Sequence, residues 1–117
     1  VWAPNASLYL LIAAQTTNDD GTANPYALYD AGIASANATT EAHHRGLVVH
    51  QMAGFDKDAL AKEFNFSLGL RPLTILVIGK QAHADELIDQ TLRDREVSPR
   101  SRKPLTELVI NSDELAL

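Results

Sequence analysis

The sequence contains no cysteine, so a disulfide framework, a thiolate metal site and a thiol nucleophile are all excluded. It also lacks an apolar run of the roughly 18 residues that a membrane span needs, and no secretory signal opens the chain. The net charge of -5 opposes binding to a phosphate backbone. We therefore expect a cytoplasmic protein with neither a membrane nor a nucleic acid as its partner.

Signature motifs of the common nucleotide and hydrolase sites are missing as well. The sequence has no Gly-x-Gly-x-x-Gly, no Walker loop and no Gly-x-Ser-x-Gly elbow. Glu41 and His44 form one Glu-x-x-His pair, whereas di-iron bundles need two such pairs and two further glutamates. We expect no metal site, and we interpret His50 and His83 as polar residues at the ends of elements.

What is present is a chain of 117 residues with 45% hydrophobic residues, which is typical of one globular domain or less. It begins Val1-Trp2-Ala3-Pro4 and enters an apolar run by residue 7. Such a start resembles the middle of a domain, so we expect a fragment. Residues 1–110 are predicted to belong to a single domain, and residues 111–117 to a loose tail.

Three apolar stretches predict strands. The run at 7–15 is almost continuously apolar and predicts a strand covered on both faces, whereas the turn-forming residues 16–24 predict a surface loop. A short strand is expected at 47–50. The β-branched run at 73–79 predicts a further strand.

A long helix is predicted from Pro25 to Arg45, with Asn24 as its N-cap and Gly46 as its left-handed C-terminal residue. Its small residues recur at spacings of three and four, which predicts close approach by a helix or a cofactor-bearing element. Plain alanine-rich helix propensity is the alternative. The small residues are Ala27, Ala31, Ala34, Ser35, Ala38 and Ala42.

Two shorter helices are expected further along the chain. Asp56 is a suitable N-cap for a helix from Lys57 to about Phe64. A charged helix is predicted from Asp85 to about Arg95. Its expected anchors are Leu87, Ile88 and Leu92.

Two segments have the chemistry of binding sites. Arg100 and Arg102 lie two residues apart between Pro99 and Pro104, so on an extended backbone their side chains share a face and suit one phosphate. A solvated basic hinge is the alternative. In the turn 52–56, Gly54 allows a planar ligand near the backbone, and free N–H groups there suit a ring nitrogen or oxygen, although capping alone also explains the turn.

Taken in order, four blocks of the chain resemble the C-terminal half of an FMN-dependent nitroreductase over about residues 2–110. They are Tyr29-Asp30-Ala31-Gly32-Ile33-Ala34, Met52-Ala53-Gly54-Phe55-Asp56, Pro72-Leu73-Thr74-Ile75-Leu76-Val77-Ile78-Gly79 and Arg100-Ser101-Arg102-Lys103-Pro104-Leu105. The resemblance implies an α+β fold with an antiparallel or mixed sheet flanked by helices, incomplete without an N-terminal half.

The resemblance also implies a site. The residues matching Ala53 and Gly54 lie against the isoalloxazine of FMN, with a backbone N–H near N5, and those matching Arg100 and Arg102 reach its phosphate. The helix matching 26–45 contributes to a homodimer interface. The implied reaction is ping-pong hydride transfer through N5, from NAD(P)H to a nitroaromatic, a quinone or a flavin.

Two departures keep other functions open. The Arg-x-Ser-x-Arg motif of the family's N-terminal half is missing, and Ala53 stands where some members have glutamate. A flavin-binding, storage or assembly protein of the same fold without turnover is therefore the alternative. A further alternative is an interaction module whose Arg-x-Arg arm binds an acidic partner.

Overall fold

The strand Leu70–Gly79, called β3, lies at the centre of a three-stranded antiparallel sheet, between β1 (Leu8–Gln15) and β2 (Val48–Met52). The computed structural model describes residues 3–109, which divide along the chain into two compact units, 3–82 and 83–109. The first unit contains the sheet and two helices, and the second contains one helix. The elements are β1 Leu8–Gln15, α1 Ala27–His44, β2 Val48–Met52, α2 Lys57–Glu63, β3 Leu70–Gly79 and α3 Gln90–Val97, with 3₁₀ turns at Ala3–Asn5, Ala84–Glu86 and Leu105–Glu107.

The central position of β3 follows from its composition. Its consecutive residues Leu76, Val77 and Ile78 are all buried, and consecutive residues of a strand point to opposite faces. This strand is confirmed, although it begins at Leu70, earlier than predicted. The flanking strands occupy the two edges of the described sheet.

The expectation that the run at 7–15 is covered on both faces is wrong for the first half of β1. Leu8, Tyr9 and Leu10 are 54%, 46% and 39% exposed, whereas Ala14 is buried at the far end. The reason is the position of β1, which among the described residues pairs only with β3 and is covered by α1 over one part of one face. Continuous apolarity predicts burial but does not say what provides the cover.

Helix α1 ends as the sequence predicts. Gly46 has a φ of +72°, the N–H of Leu47 donates to the carbonyl of Ala42 at 2.9 Å, and that of Gly46 donates to His43 at 2.9 Å. This pair of bonds is a Schellman motif, which needs a residue that tolerates positive φ.

The start of α1 differs from the prediction. Its N-cap position is Tyr26, and Asn24 lies two residues earlier. The side chain of Asn24 accepts from the N–H of Tyr26 at 3.0 Å and donates to the carbonyl of Gln15 at 3.0 Å. Asn24 therefore joins the start of α1 to the end of β1 instead of capping the helix.

The small residues of α1 pack on the sheet, not on the helix or cofactor-bearing element that we expected. Buried small side chains let the helix lie close to the strands. They form two clusters: Ala27 and Ala31 contact Ala14 with Ile12 and Leu73, while Ala42 contacts Leu76 and Ile78 with Ala38, Leu47 and Val49. Ala34 is exposed.

The loop at 16–24 lies at the surface, as predicted. Thr22 donates from its hydroxyl to Asp20 at 2.6 Å and from its N–H at 2.9 Å. These two bonds stabilise the carboxylate, so the pKa of Asp20 lies below its ordinary value.

In the second unit, α3 begins later than the sequence predicts. Asp89 is its N-cap and accepts from the N–H of Leu92 at 3.2 Å, whereas residues 84–86 form only a 3₁₀ turn. Leu87 and Ile88 both precede this N-cap and lie outside the helix, and Ile88 is 96% exposed, so it does not anchor the helix as expected. The helix begins where the Asp89 side chain caps it, and not at the predicted start at Asp85. The predicted tail at 111–117 lies outside the described residues.

Gly69 generates a stability prediction. Its φ is +89°, and a Cβ built on it lies 2.7 Å from the Thr17 hydroxyl oxygen and 2.8 Å from the Thr17 Cβ. We expect Gly69→Ala to lower the free energy of unfolding by at least about 1–3 kcal/mol, because strain and steric overlap add. Urea denaturation measures the change.

Gly32→Ala is the matched control. Gly32 lies inside α1, and a Cβ there has no atom within 4 Å. We expect this substitution to raise the stability by about 0.5–1 kcal/mol. Equal stability of Gly69→Ala and the wild type would contradict the steric account.

Candidate functional site

The candidate site in the first unit is the turn between β2 and α2. The last ladder pair of β2 joins Met52 to Ile75, and α2 is capped by Asp56, whose carboxylate accepts from the N–H of Ala59 at 2.9 Å. The capping prediction is confirmed. Ala53 and Gly54 lie between these two fixed points and belong to no regular element.

Ala53 and Gly54 present an open backbone. Both are exposed, and a Cβ built on Gly54 has no atom within 4 Å. Within residues 3–109, neither of their N–H groups donates to a protein acceptor. The turn therefore offers hydrogen-bond donors together with room for a flat ligand to approach the backbone.

The strand that leads into this turn is held from both neighbouring elements. The hydroxyl of Thr74 on β3 donates to the carbonyl of Met52 at 2.9 Å. Gln51 accepts from the Ser35 hydroxyl at 2.9 Å and donates to the Thr39 hydroxyl at 3.1 Å, so two side chains of α1 hold it. These bonds fix the direction of β2 as it reaches Ala53.

An open groove of about 220 Å³ lies between the first half of α1 and the sheet. Its walls are mostly apolar, with three hydroxyl or amide side chains among them. The lining residues are Ile12, Leu28, Ala31, Gly32, Ser35, Ala36, Gln51, Leu73 and Thr74. The polar lining residues Ser35, Gln51 and Thr74 take part in the hydrogen bonds that hold β2.

Sequence reasoning assigned no role at the site to Ser35, Gln51 or Thr74. A polar residue inside an apolar strand was the available signal, since Gln51 and Thr74 each interrupt such a run. Their partners depend on the register of β2 against β3 and on the rotation of α1, which composition does not specify.

Arg100 and Arg102 lie in the second unit, between α3 and the 3₁₀ turn at Leu105–Glu107. Both are exposed, and this part of the chain has no regular structure. The backbone is extended where the segment begins and ends, at Ser98 and Pro104.

The charges of this segment are only partly engaged by the protein. Arg102 donates to the carbonyl of Ser101 at 2.7 Å, and Lys103 lies 3.6 Å from Glu107 in an exposed ion pair of small energetic value. Within the described residues, Arg100 makes no ion pair. The binding of one phosphate by both arginines stays a prediction.

Residues 3–109 contain no cluster of three histidine, aspartate or glutamate side chains that could hold a metal ion. No helix in that range is both long and apolar enough to cross a membrane.

Comparison with protein-family models gives a match to the Nitroreductase family over residues 2–80. This match covers more than half of the chain, and the chain belongs to the nitroreductase family. The matched region includes Ala53, Gly54 and Thr74 but ends before Arg100 and Arg102. The predicted α+β, nitroreductase-like fold is thereby confirmed.

One curated relative is the "uncharacterized 15.4 kDa protein in ask 5'region" of Mycolicibacterium smegmatis. It is 39% identical over 110 residues, which make up 92% of this chain and 71% of the relative.

Solved structures give the same fold. A crystal structure described as an oxidoreductase containing FMN superposes with a TM-score of 0.86 and 27% identity, over 94% of this chain and 57% of that one. A nitroreductase family protein from Clostridium difficile 630 superposes with a TM-score of 0.63 and 23% identity, over 92% of this chain and 60% of that one. A nitroreductase family protein from Streptococcus pneumoniae TIGR4 superposes with a TM-score of 0.55 and 19% identity, over 74% of this chain and 37% of that one. This chain thus spans less than two thirds of each of these three structures.

Proposed function

We propose that this chain forms part of an FMN-dependent NAD(P)H oxidoreductase. The observation that carries the proposal is the open turn at Ala53 and Gly54, inside the region that matches the nitroreductase family, with two N–H donors that no acceptor within residues 3–109 uses. The FMN of the similar oxidoreductase supports the choice of cofactor.

The donor set of the first unit fits an isoalloxazine. Its ring nitrogens and carbonyl oxygens accept hydrogen bonds, and the turn supplies N–H donors that no described protein group uses. A flat ring also needs backbone free of side chains, which Gly54 provides. The site is therefore chemically suited to flavin.

The donor set of the second unit fits a phosphate. A guanidinium offers a planar fork of N–H groups that matches phosphate oxygens, and Arg100 and Arg102 are both exposed. We propose that they bind the FMN phosphate.

Bound FMN would supply hydride exchange between NAD(P)H and an acceptor such as a nitroaromatic or a quinone. The protein groups of this chain orient the ring and neutralise the phosphate. Ala53 has no titratable side chain, so the turn acts through its backbone. We propose no acid or base among these residues.

We propose in addition that α1 contributes to a homodimer. Its outer face, which we define as Tyr26, Tyr29 and Ile33, carries large apolar side chains at helical spacing that are exposed. Exposed apolar patches of this kind mark association surfaces. Location in the cytoplasm stays a prediction from the sequence.

The first prediction concerns the cofactor. After addition of FMN and removal of unbound FMN by gel filtration, the purified protein should retain visible flavin absorbance that disappears on anaerobic addition of NADH or NADPH. Failure to take up FMN would contradict the proposed function. Bound FMN that neither dinucleotide reduces would instead favour the flavin-binding protein without turnover.

The second prediction concerns the arginines. Arg100→Ala and Arg102→Ala should each weaken FMN binding by roughly 1–3 kcal/mol, or about 5- to 150-fold in Kd, because each removes a charge-assisted contact. Fluorescence titration of FMN measures Kd.

Arg71→Ala is the control for charge, since Arg71 is an exposed arginine of β3. It should leave the Kd within about twofold of the wild-type value. Equal binding by the wild type and both test variants would mean that the phosphate lies elsewhere.

The third prediction concerns assembly. Tyr29→Asp puts a charge into the outer face of α1 and should shift the protein from dimer towards monomer in sedimentation equilibrium. Ser67→Asp adds the same charge at an exposed residue that is not part of α1 and should not shift this equilibrium. A dimer unaffected by Tyr29→Asp would place the interface on another surface.

A further inference from the structure

The Thr74 side chain makes a cross-strand hydrogen bond next to the candidate site. Thr74 lies on β3, is partly buried, and donates from its hydroxyl to the carbonyl of Met52 on β2 at 2.9 Å. Met52 is the last residue of β2, directly before Ala53.

The carbonyl of Met52 also faces β3 within the ladder. The carbonyl of Ile78 accepts from Ser7 at 3.1 Å, so the backbone groups of Ile78 face β1. Backbone groups alternate sides along a strand, so those of Ile75, three residues earlier, face β2 and its partner Met52. Both lone pairs of the Met52 carbonyl oxygen are thus directed at donors of β3, namely the Ile75 N–H and the Thr74 hydroxyl.

A planar peptide transmits this constraint to Ala53. The Met52 carbonyl and the Ala53 N–H belong to one peptide unit, and the described residues contain no cis peptide bond. In a trans peptide the two groups point in opposite directions. A carbonyl held towards β3 therefore directs the Ala53 N–H away from β3, towards the open edge, where it meets no protein acceptor within residues 3–109.

The geometry points to Thr74 as a positioning residue that aims and polarises the Ala53 N–H for the ring nitrogen of a bound flavin. This inference rests on the proposed function. Hydrogen bonds in a chain strengthen one another, so a hydroxyl on the carbonyl makes the N–H at the other end of the peptide a better donor. Thr74 acts through the backbone and does not touch the ring itself.

A stronger donor at that nitrogen has an electronic consequence. The nitrogen accepts a hydrogen bond in the oxidised ring, whereas after reduction it carries a proton and is a poorer acceptor. The donor therefore favours the oxidised form. Removal of the Thr74 hydroxyl should weaken FMN binding and raise the midpoint potential of the bound flavin.

The test compares Thr74→Val, which removes the hydroxyl, with Thr74→Ser, which keeps it. Valine suits a strand, and the ladder still supplies a donor to the Met52 carbonyl, so Thr74→Val should fold. Thr74→Ala provides a second variant without the hydroxyl. In protein without FMN, the NMR shift of the Met52 carbonyl carbon should move upfield in both variants that lack the hydroxyl. In Thr74→Ser it should stay near the wild-type value.

The same proteins are then titrated with FMN. We expect Kd to rise roughly 2- to 10-fold in Thr74→Val and Thr74→Ala, the effect of one hydrogen bond, with a higher midpoint potential. Thr74→Ser should recover both wild-type values.

The outcomes separate this inference from the proposed function. Failure of the wild type to bind FMN removes both. Wild-type binding with an unchanged Kd and potential in Thr74→Val overturns the positioning role alone, as does an unchanged Met52 carbonyl shift. Equal losses in Thr74→Ser, which keeps the hydroxyl, and Thr74→Val, which lacks it, would show that the hydroxyl does not set the effect and would also overturn the positioning role.

Discussion

The pairing of β3 with a strand on each side is the constraint on which the first unit depends. It buries Leu76, Val77 and Ile78, and it gives α1 a surface on which alanines pack closely. The same ladder ends at Met52 and Ile75, so the register of β2 against β3 determines where the backbone leaves the sheet. The open turn at Ala53 and Gly54 is a direct consequence of that ending.

Two local signals in the sequence predicted local structure correctly. Gly46 predicted the end of α1 because only a residue that tolerates positive φ completes the Schellman motif. Asp56 predicted the start of α2 because its carboxylate accepts a free N–H of the first turn. Both signals act within a few residues, so neither depends on the tertiary fold.

Contacts between distant residues were predicted less well. The cover of β1 and the packing partner of α1 depend on which elements meet, and small or apolar residues suit several partners. For the site, the open turn was predictable from Gly54. The contact of Thr74 with Met52 was not, because a shift of register by one residue would turn the Thr74 side chain to the other face. The binding of one phosphate by Arg100 and Arg102 stays a prediction, which rests on their spacing and exposure.

A crystal structure of the protein with bound FMN tests the central claim most directly. The account predicts that the backbone nitrogen of Ala53 lies within hydrogen-bond distance, about 2.7–3.2 Å, of the flavin ring nitrogen that receives hydride. The Met52 carbonyl should still accept from Thr74. A ring bound away from the β2–α2 turn, or a peptide flipped so that the Ala53 N–H faces β3, would contradict the account.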